Sequence, residues 1–168
     1  MKKRPHSRGM GLARTLSKLG YCSRSAAAKL ICAGRVTVNG NRVRDPEAPV
    51  SIRHEQIAVD GSAVEEERKI YLMLNKPRGV VTSASDEKGR QTVYALLYDG
   101  ARAPKSSDGG LPWVAPVGRL DKASEGLLLL TNDFGWGARI AAPETHVNKT
   151  YHVQIATVAD EDFILNLV

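Results

Sequence analysis

A chain of 168 residues has room for one medium domain or two small ones, and its 42% hydrophobic and 25% charged residues describe a soluble, globular protein rather than a disordered or fibrous one. Its charge of +6 is divided unevenly: residues 1–44 hold eleven Lys or Arg and no Asp or Glu, whereas the remainder holds thirteen basic and eighteen acidic side chains. A basic end joined to a mildly acidic body is the footprint of a polyanion-binding module attached to a second unit. No secretory signal is evident, because Pro5-His6-Ser7-Arg8-Gly9 follows Met1-Lys2-Lys3-Arg4 where an apolar stretch would be required. Cys22 and Cys32 are too few for a disulfide framework and no metal-ligand spacing is present, so buried reduced thiols and a cytoplasmic compartment are expected, with no metal and no membrane partner.

Residues 1–10 are polar and basic and read as a disordered arm. From Leu12 the pattern turns helical: Leu12, Leu16 and Leu19 form one apolar stripe, Arg14 and Lys18 share another face, and Gly20 ends the helix. Ser23 offers an N-cap to a second helix whose inner face is Ala26, Ala27, Leu30 and Ile31, with Ala33-Gly34 as its C-cap. Val36-Thr37-Val38 alternates like a strand, Asn39-Gly40 is a hairpin turn and Arg42-Val43-Arg44 begins the return. Two short helices and a hairpin make a compact platform with its cations left on the surface.

This segment resembles the S4 RNA-binding domain, on Arg14, Leu16, Leu19, Gly20, Ser23-Arg24, Ala28, Ile31 and the run Gly34-Arg35-Val36-Thr37-Val38-Asn39-Gly40. The resemblance implies a domain that, with its linker, occupies residues 11–68. It also implies that Arg14, Lys18, Ser23, Arg24, Lys29 and Arg35 face RNA phosphate and sugar. Structured RNA is read largely by shape and backbone, which suits a positive face without exposed aromatics.

Val50, Ile52, Ile57 and Val59 are strand-like, Asp60-Gly61 is a tight turn, and the charged run from Glu65 to Lys69 reads as a linker. Ile70 to Leu74 reads as an apolar strand, and Lys76-Pro77-Arg78-Gly79 as a proline-stiffened turn placing Lys76 and Arg78 at a strand end. A further strand is expected over Val80-Val81-Thr82-Ser83, a short helix around Thr92 to Leu97, and a mobile loop over 99–112.

The densest signal is Gly118-Arg119-Leu120-Asp121, then Ser124, then Gly126 followed by four leucines and Thr131-Asn132-Asp133. The leucines fit a short buried strand bounded by turns, although periodicity alone does not separate this from a buried helix. Asp121 is then a loop carboxylate two residues from the permanent cation Arg119, a pairing that would keep it ionised and oriented. Such a carboxylate can serve as nucleophile or base, and it can equally be an Asx turn or a helix cap.

The run resembles the catalytic motif of bacterial ribosomal RNA pseudouridine synthases of the RsuA type, with Ser124 keeping the hydroxyl of the family's Thr. The resemblance implies Asp121 as the nucleophile and Arg119 as its orienting partner. It implies that the Lys76 motif buttresses the catalytic loop, and that Lys149-Thr150-Tyr151-His152-Val153 is the strand whose Tyr151 stacks on the target uracil, with Lys149 in support. On residues alone, Lys149 to Ile155 alternates as a half-buried strand, Trp136 to Ala141 as a helix, and Asp160-Glu161-Asp162 as a helix start. The family's domain continues into further strands and a late Arg-rich motif, so residues 69–168 are expected to be its N-terminal part only.

The expected fold is α+β: a small S4-type module followed by a partial synthase domain with a mainly antiparallel sheet. The expected function is isomerisation of a specific uridine in ribosomal RNA, without metal, nucleotide or redox cofactor, by a protein that is monomeric at full length. The alternative is a catalytically incomplete S4-type RNA-binding fragment. The cut sheet is expected to expose an edge and apolar surface.

Overall fold

The computed structural model describes residues 9–84, 86–98 and 111–166. The arm expected over 1–10 lies outside them for its first eight residues, as does the loop expected over 99–112 for residues 99–110. Met10 is not part of an arm: β1 (Met10–Gly11) pairs antiparallel with β4 (Pro49–Val50).

The first unit is built on α1 (Leu12–Lys18) and α2 (Arg24–Cys32). Leu12, Leu16, Ala27 and Ile31 are fully buried between them, so the apolar stripe of each helix meets that of the other. The Ser23 hydroxyl accepts the Ala26 N–H at 3.1 Å and starts α2. Cys22 is buried, and burial pushes its thiol up to about 12. Cys32 is exposed, contrary to expectation, because the next position after Ile31 falls off the buried stripe. A four-stranded antiparallel sheet in the order β3-β2-β5-β6 closes this core. Its strands are β2 (Val36–Val38), β3 (Asn41–Val43), β5 (Ile57–Val59) and β6 (Ser62–Ala63). Both of its tight turns, Asn39-Gly40 and Asp60-Gly61, have positive φ at both central residues, as two-residue hairpin turns of this hand require. Ile52 is exposed and lies in a turn, outside the strand pattern expected for it.

The second unit is a three-stranded antiparallel sheet, order β7-β9-β8, made of β7 (Tyr71–Lys76), β8 (Ala115–Val117) and β9 (Gly126–Thr131). The leucine run is thus the central strand. Leu72 and Leu74 pair in register with Leu130 and Leu128, and these four pack with Val80, Val93, Tyr94, Trp113 and Val114 on one face. On the other face α3 (Phe134–Ala141) covers one end, with Trp136 edge-on to Tyr71 at 5.0 Å. The expected strand over Val80–Ser83 is only an isolated bridge between Val81 and Thr92, since the chain turns at once through Ser83 N–H to Val81 O. A 3₁₀ turn, Val93–Leu96, stands where a short helix was expected, and α4 (Glu161–Leu165) follows its Asp160 cap.

The strand expected over Lys149–Ile155 is not formed. No neighbouring strand meets it among the described residues, and every side chain from 143 to 162 is exposed. Alternation supplies one apolar face, but a strand also needs a partner for its backbone groups.

The two units are hydrogen-bonded together at the end of α1. The Trp113 N–H donates to Gly20 O at 2.9 Å and the Glu67 N–H to Leu19 O at 3.1 Å. Asn132, only 1% exposed, accepts the Ile70 N–H and donates to Arg68 O, both at 2.8 Å, fixing the linker to the end of β9.

Candidate active site

Residues 118–125 form a loop between β8 and β9, and its backbone is tied down from the 76–82 segment. Alternation along β7 puts Lys76 on the core side with Leu72 and Leu74, and it is fully buried. Its ammonium donates to Ser124 O at 2.7 Å and to Pro77 O at 3.0 Å. Burial lowers the Lys76 ammonium from its ordinary value, while the charges of Asp121 and Glu125 oppose that. The Gly79 N–H donates to Lys122 O at 2.7 Å and the Thr82 hydroxyl to Leu120 O at 2.8 Å. Arg78 pairs with Glu125 at 3.5 Å on the surface. The carbonyls of residues 120, 122 and 124 are all engaged, so the loop is held on both sides of Asp121.

The Asp121 side chain, by contrast, is exposed and accepts no hydrogen bond among the described residues. Other acids in this chain behave differently. Asp133 and Asp160 cap helices, and Asp45 and Asp86 accept N–H groups two residues on. The Trp136 N–H and the Tyr71 hydroxyl hold the Asp133 carboxyl below the usual carboxylate range. The turn-or-cap reading therefore fails at Asp121: its backbone carbonyl, not its carboxylate, accepts the Ser124 N–H, at 3.1 Å.

The Asp121 charge favours the charged form of the buried Lys76. Arg119 is exposed and forms no ion pair with Asp121 among the described residues, so the expected orienting contact is absent from this arrangement. Lys149 and Tyr151 lie on the unpaired 147–158 stretch, and Tyr151 is 64% exposed. The site residue that sequence reasoning missed is Thr82, which bridges to Leu120 in both directions as donor at 2.8 Å and acceptor at 3.3 Å. Its only sequence signal was its place just after the Lys76–Gly79 turn.

On the first unit, Arg14, Arg24 and Lys29 are exposed and Lys18 and Ser23 half-buried on the two helices. Arg35 instead forks onto Asp60, with Nε to Oδ1 at 2.9 Å, and its carbonyl accepts the Asp60 N–H at 2.9 Å. Among the described residues no helix is long and apolar enough to cross a membrane, and no three His, Cys, Asp or Glu side chains gather as a metal site.

Residues 70–166 match the RNA pseudouridylate synthase family and residues 10–57 match the S4 domain. The chain belongs to the RNA pseudouridylate synthase family. It is 41% identical over 155 residues to an uncharacterized RNA pseudouridine synthase of Mycobacterium leprae, covering 90% of this chain and 57% of that protein. To ribosomal large subunit pseudouridine synthase B of Bacillus subtilis it is 34% identical over 156 residues, covering 93% and 59% respectively. A crystal structure of a pseudouridylate synthase aligns with 82% of this chain and 55% of that chain at 29% identity and a TM-score of 0.40. The chain thus spans somewhat more than half the length of the curated relatives it matches.

Proposed function

We propose that this chain carries the RNA-binding module and the catalytic loop of a synthase that isomerises a uridine of ribosomal RNA to pseudouridine, with Asp121 as nucleophile. One observation carries the reading: the 118–125 loop is held through its backbone while the Asp121 carboxylate is exposed and accepts no hydrogen bond among the described residues. A fixed, unspent carboxylate is what a nucleophile requires, and a structural Asp would have spent it. The target uridine is flipped out of its stack, Asp121 attacks the base or the ribose C1′ to form a C–O bond, and the glycosidic C–N bond breaks. The uracil turns and rejoins ribose C1′ through C5, the bond to Asp121 breaks and returns its carboxylate, C5 gives up its proton and N1 takes one, so nothing is gained or lost overall.

In this reading Lys76 holds the loop from beneath and Arg119, without an ion pair among the described residues, meets the RNA. Tyr151 stacks on the uracil, with Lys149 beside it, once the 149–155 stretch is paired. The cations Arg14, Lys18, Arg24 and Lys29, with Ser23, contact RNA backbone. The partner is ribosomal RNA, in line with the name of the Bacillus subtilis relative. A second reading, an RNA-binding piece silent in catalysis, is favoured by the unpaired state of residues 149–155. Asp121→Asn separates the two. It keeps the shape of the side chain, leaves RNA binding intact, and abolishes pseudouridine formation if Asp121 is the nucleophile; full activity in the variant overturns the mechanism.

A further inference from the structure

The outer side of the first unit's sheet is unassigned by anything above. Val36 and Val38 point into the core, so Thr37 points out, and the register sets it between Arg42 on one side and Ala58 on the other, with Ala63 next. Thr37, Ala58 and Ala63 are small, so this surface is low and smooth. Arg42 borders it on the edge strand β3, and Arg44 stands just past the end of that strand.

Gly34 brings the two arginines together. A Cβ there would lie 3.2 Å from Arg42 Cδ and from Arg44 Nε, so both side chains run across the bare backbone at the end of α2. Both are exposed, and neither has an ion pair among the described residues. The third arginine of this side, Arg35, is neutralised by its fork onto Asp60. The sequence-based reading counted Arg35 and passed over Arg42 and Arg44; the geometry reverses their standing.

We infer that this outer face of the S4 sheet is a second contact for RNA backbone, in which Arg42 and Arg44 each take a phosphate while Arg35 staples the fold. The inference rests on the RNA-binding reading above. Two adjacent guanidiniums over a smooth, small-residue floor suit phosphate groups, which Arg binds as a fork. The purely structural reading is that the two cations complement the C-terminal end of α2. That reading predicts a loss of stability and no change in ligand binding.

The test is fluorescence anisotropy of the full 168-residue chain with a transcribed ribosomal RNA stem-loop across a series of KCl concentrations. Arg42→Gln with Arg44→Gln should lower the log–log salt slope by about 1.4–1.8, two phosphates' worth of released counterions. Arg42→Lys with Arg44→Lys should restore it, and Arg35→Gln should lower the melting temperature without touching the slope. A double variant with the parent's slope and affinity overturns the inference. If the double Gln variant loses its helical circular dichroism, each single variant must show about half the slope change. A parent that binds no RNA overturns the RNA-binding reading and this inference together. If Arg14→Gln with Arg24→Gln weakens binding while the sheet variant does not, this inference alone fails. Polyglutamate competing as well as the stem-loop would overturn RNA as the ligand.

Discussion

Lys76 is fully buried, and among the described residues its ammonium hydrogen-bonds to two backbone carbonyls. Lys76→Met keeps the aliphatic stem and removes both bonds. Leaving the Ser124 and Pro77 carbonyls unpaired costs about 1–3 kcal/mol, partly offset because a desolvated charge is removed as well. The melting temperature should fall by about 2–8 °C. Activity should fall more than tenfold in samples held well below the melt, because the loop around Asp121 loses its lower tether. A variant whose activity tracks only its folded fraction would contradict a positioning role for Lys76. At this scale the family resemblance already gave the Lys76 motif the task of buttressing the loop, but the burial of Lys76 was not legible. Its burial depends on the register of β7 against β9, which places residues 72, 74 and 76 on the core side. The Arg35 pairing was illegible for a similar reason: Asp60 lies 25 residues away, and only the β2–β5 pairing brings the two together.

Among the elements, β9 and the Asn132 that follows it do most to order the whole. Asn132 spends both halves of its amide on the linker at a position sealed from solvent, so Asn132→Ala leaves the Ile70 N–H and the Arg68 carbonyl unpaired. The expected cost is about 2–4 kcal/mol, read as a lower urea midpoint. A midpoint shift worth under about 0.5 kcal/mol, the scale of a neutral surface change, would show that the linker is held elsewhere. The helices, both hairpin turns and the leucine strand were legible because caps, periodicity and turn residues are local signals. The strand over residues 149–155 was misread because alternation reports a potential face and not the presence of a neighbour. The bend at Ser83 was missed because Val80-Val81-Thr82 has strand-like composition, and the turn that breaks it is a backbone matter.

For the whole molecule, the sheet of the second unit is dressed on one side only in part. Beyond the end covered by α3, Met73 is 81% exposed and Leu127 65%, on adjacent strands of the same face. Water-exposed apolar groups of this size side by side favour burial against another surface. The 168-residue chain should therefore self-associate with rising concentration in sedimentation velocity, and Met73→Lys with Leu127→Lys should return it to monomer. A parent that stays monomeric throughout would contradict this. The contrast between a basic first stretch and a mildly acidic remainder was visible in the charge distribution. How the two are joined was not, because the joint is made of backbone bonds at Leu19, Gly20, Glu67 and Trp113.

The central claim is that a backbone-fixed, unspent Asp121 performs the isomerisation. The most direct measurement is pseudouridine formation in ribosomal RNA incubated with this chain, with Asp121→Asn alongside and RNA binding measured on both. Product from the parent, none from the variant and equal binding by both is the predicted result. Equal product from both would contradict Asp121 as nucleophile, and binding without product from either would show that these residues carry RNA recognition alone.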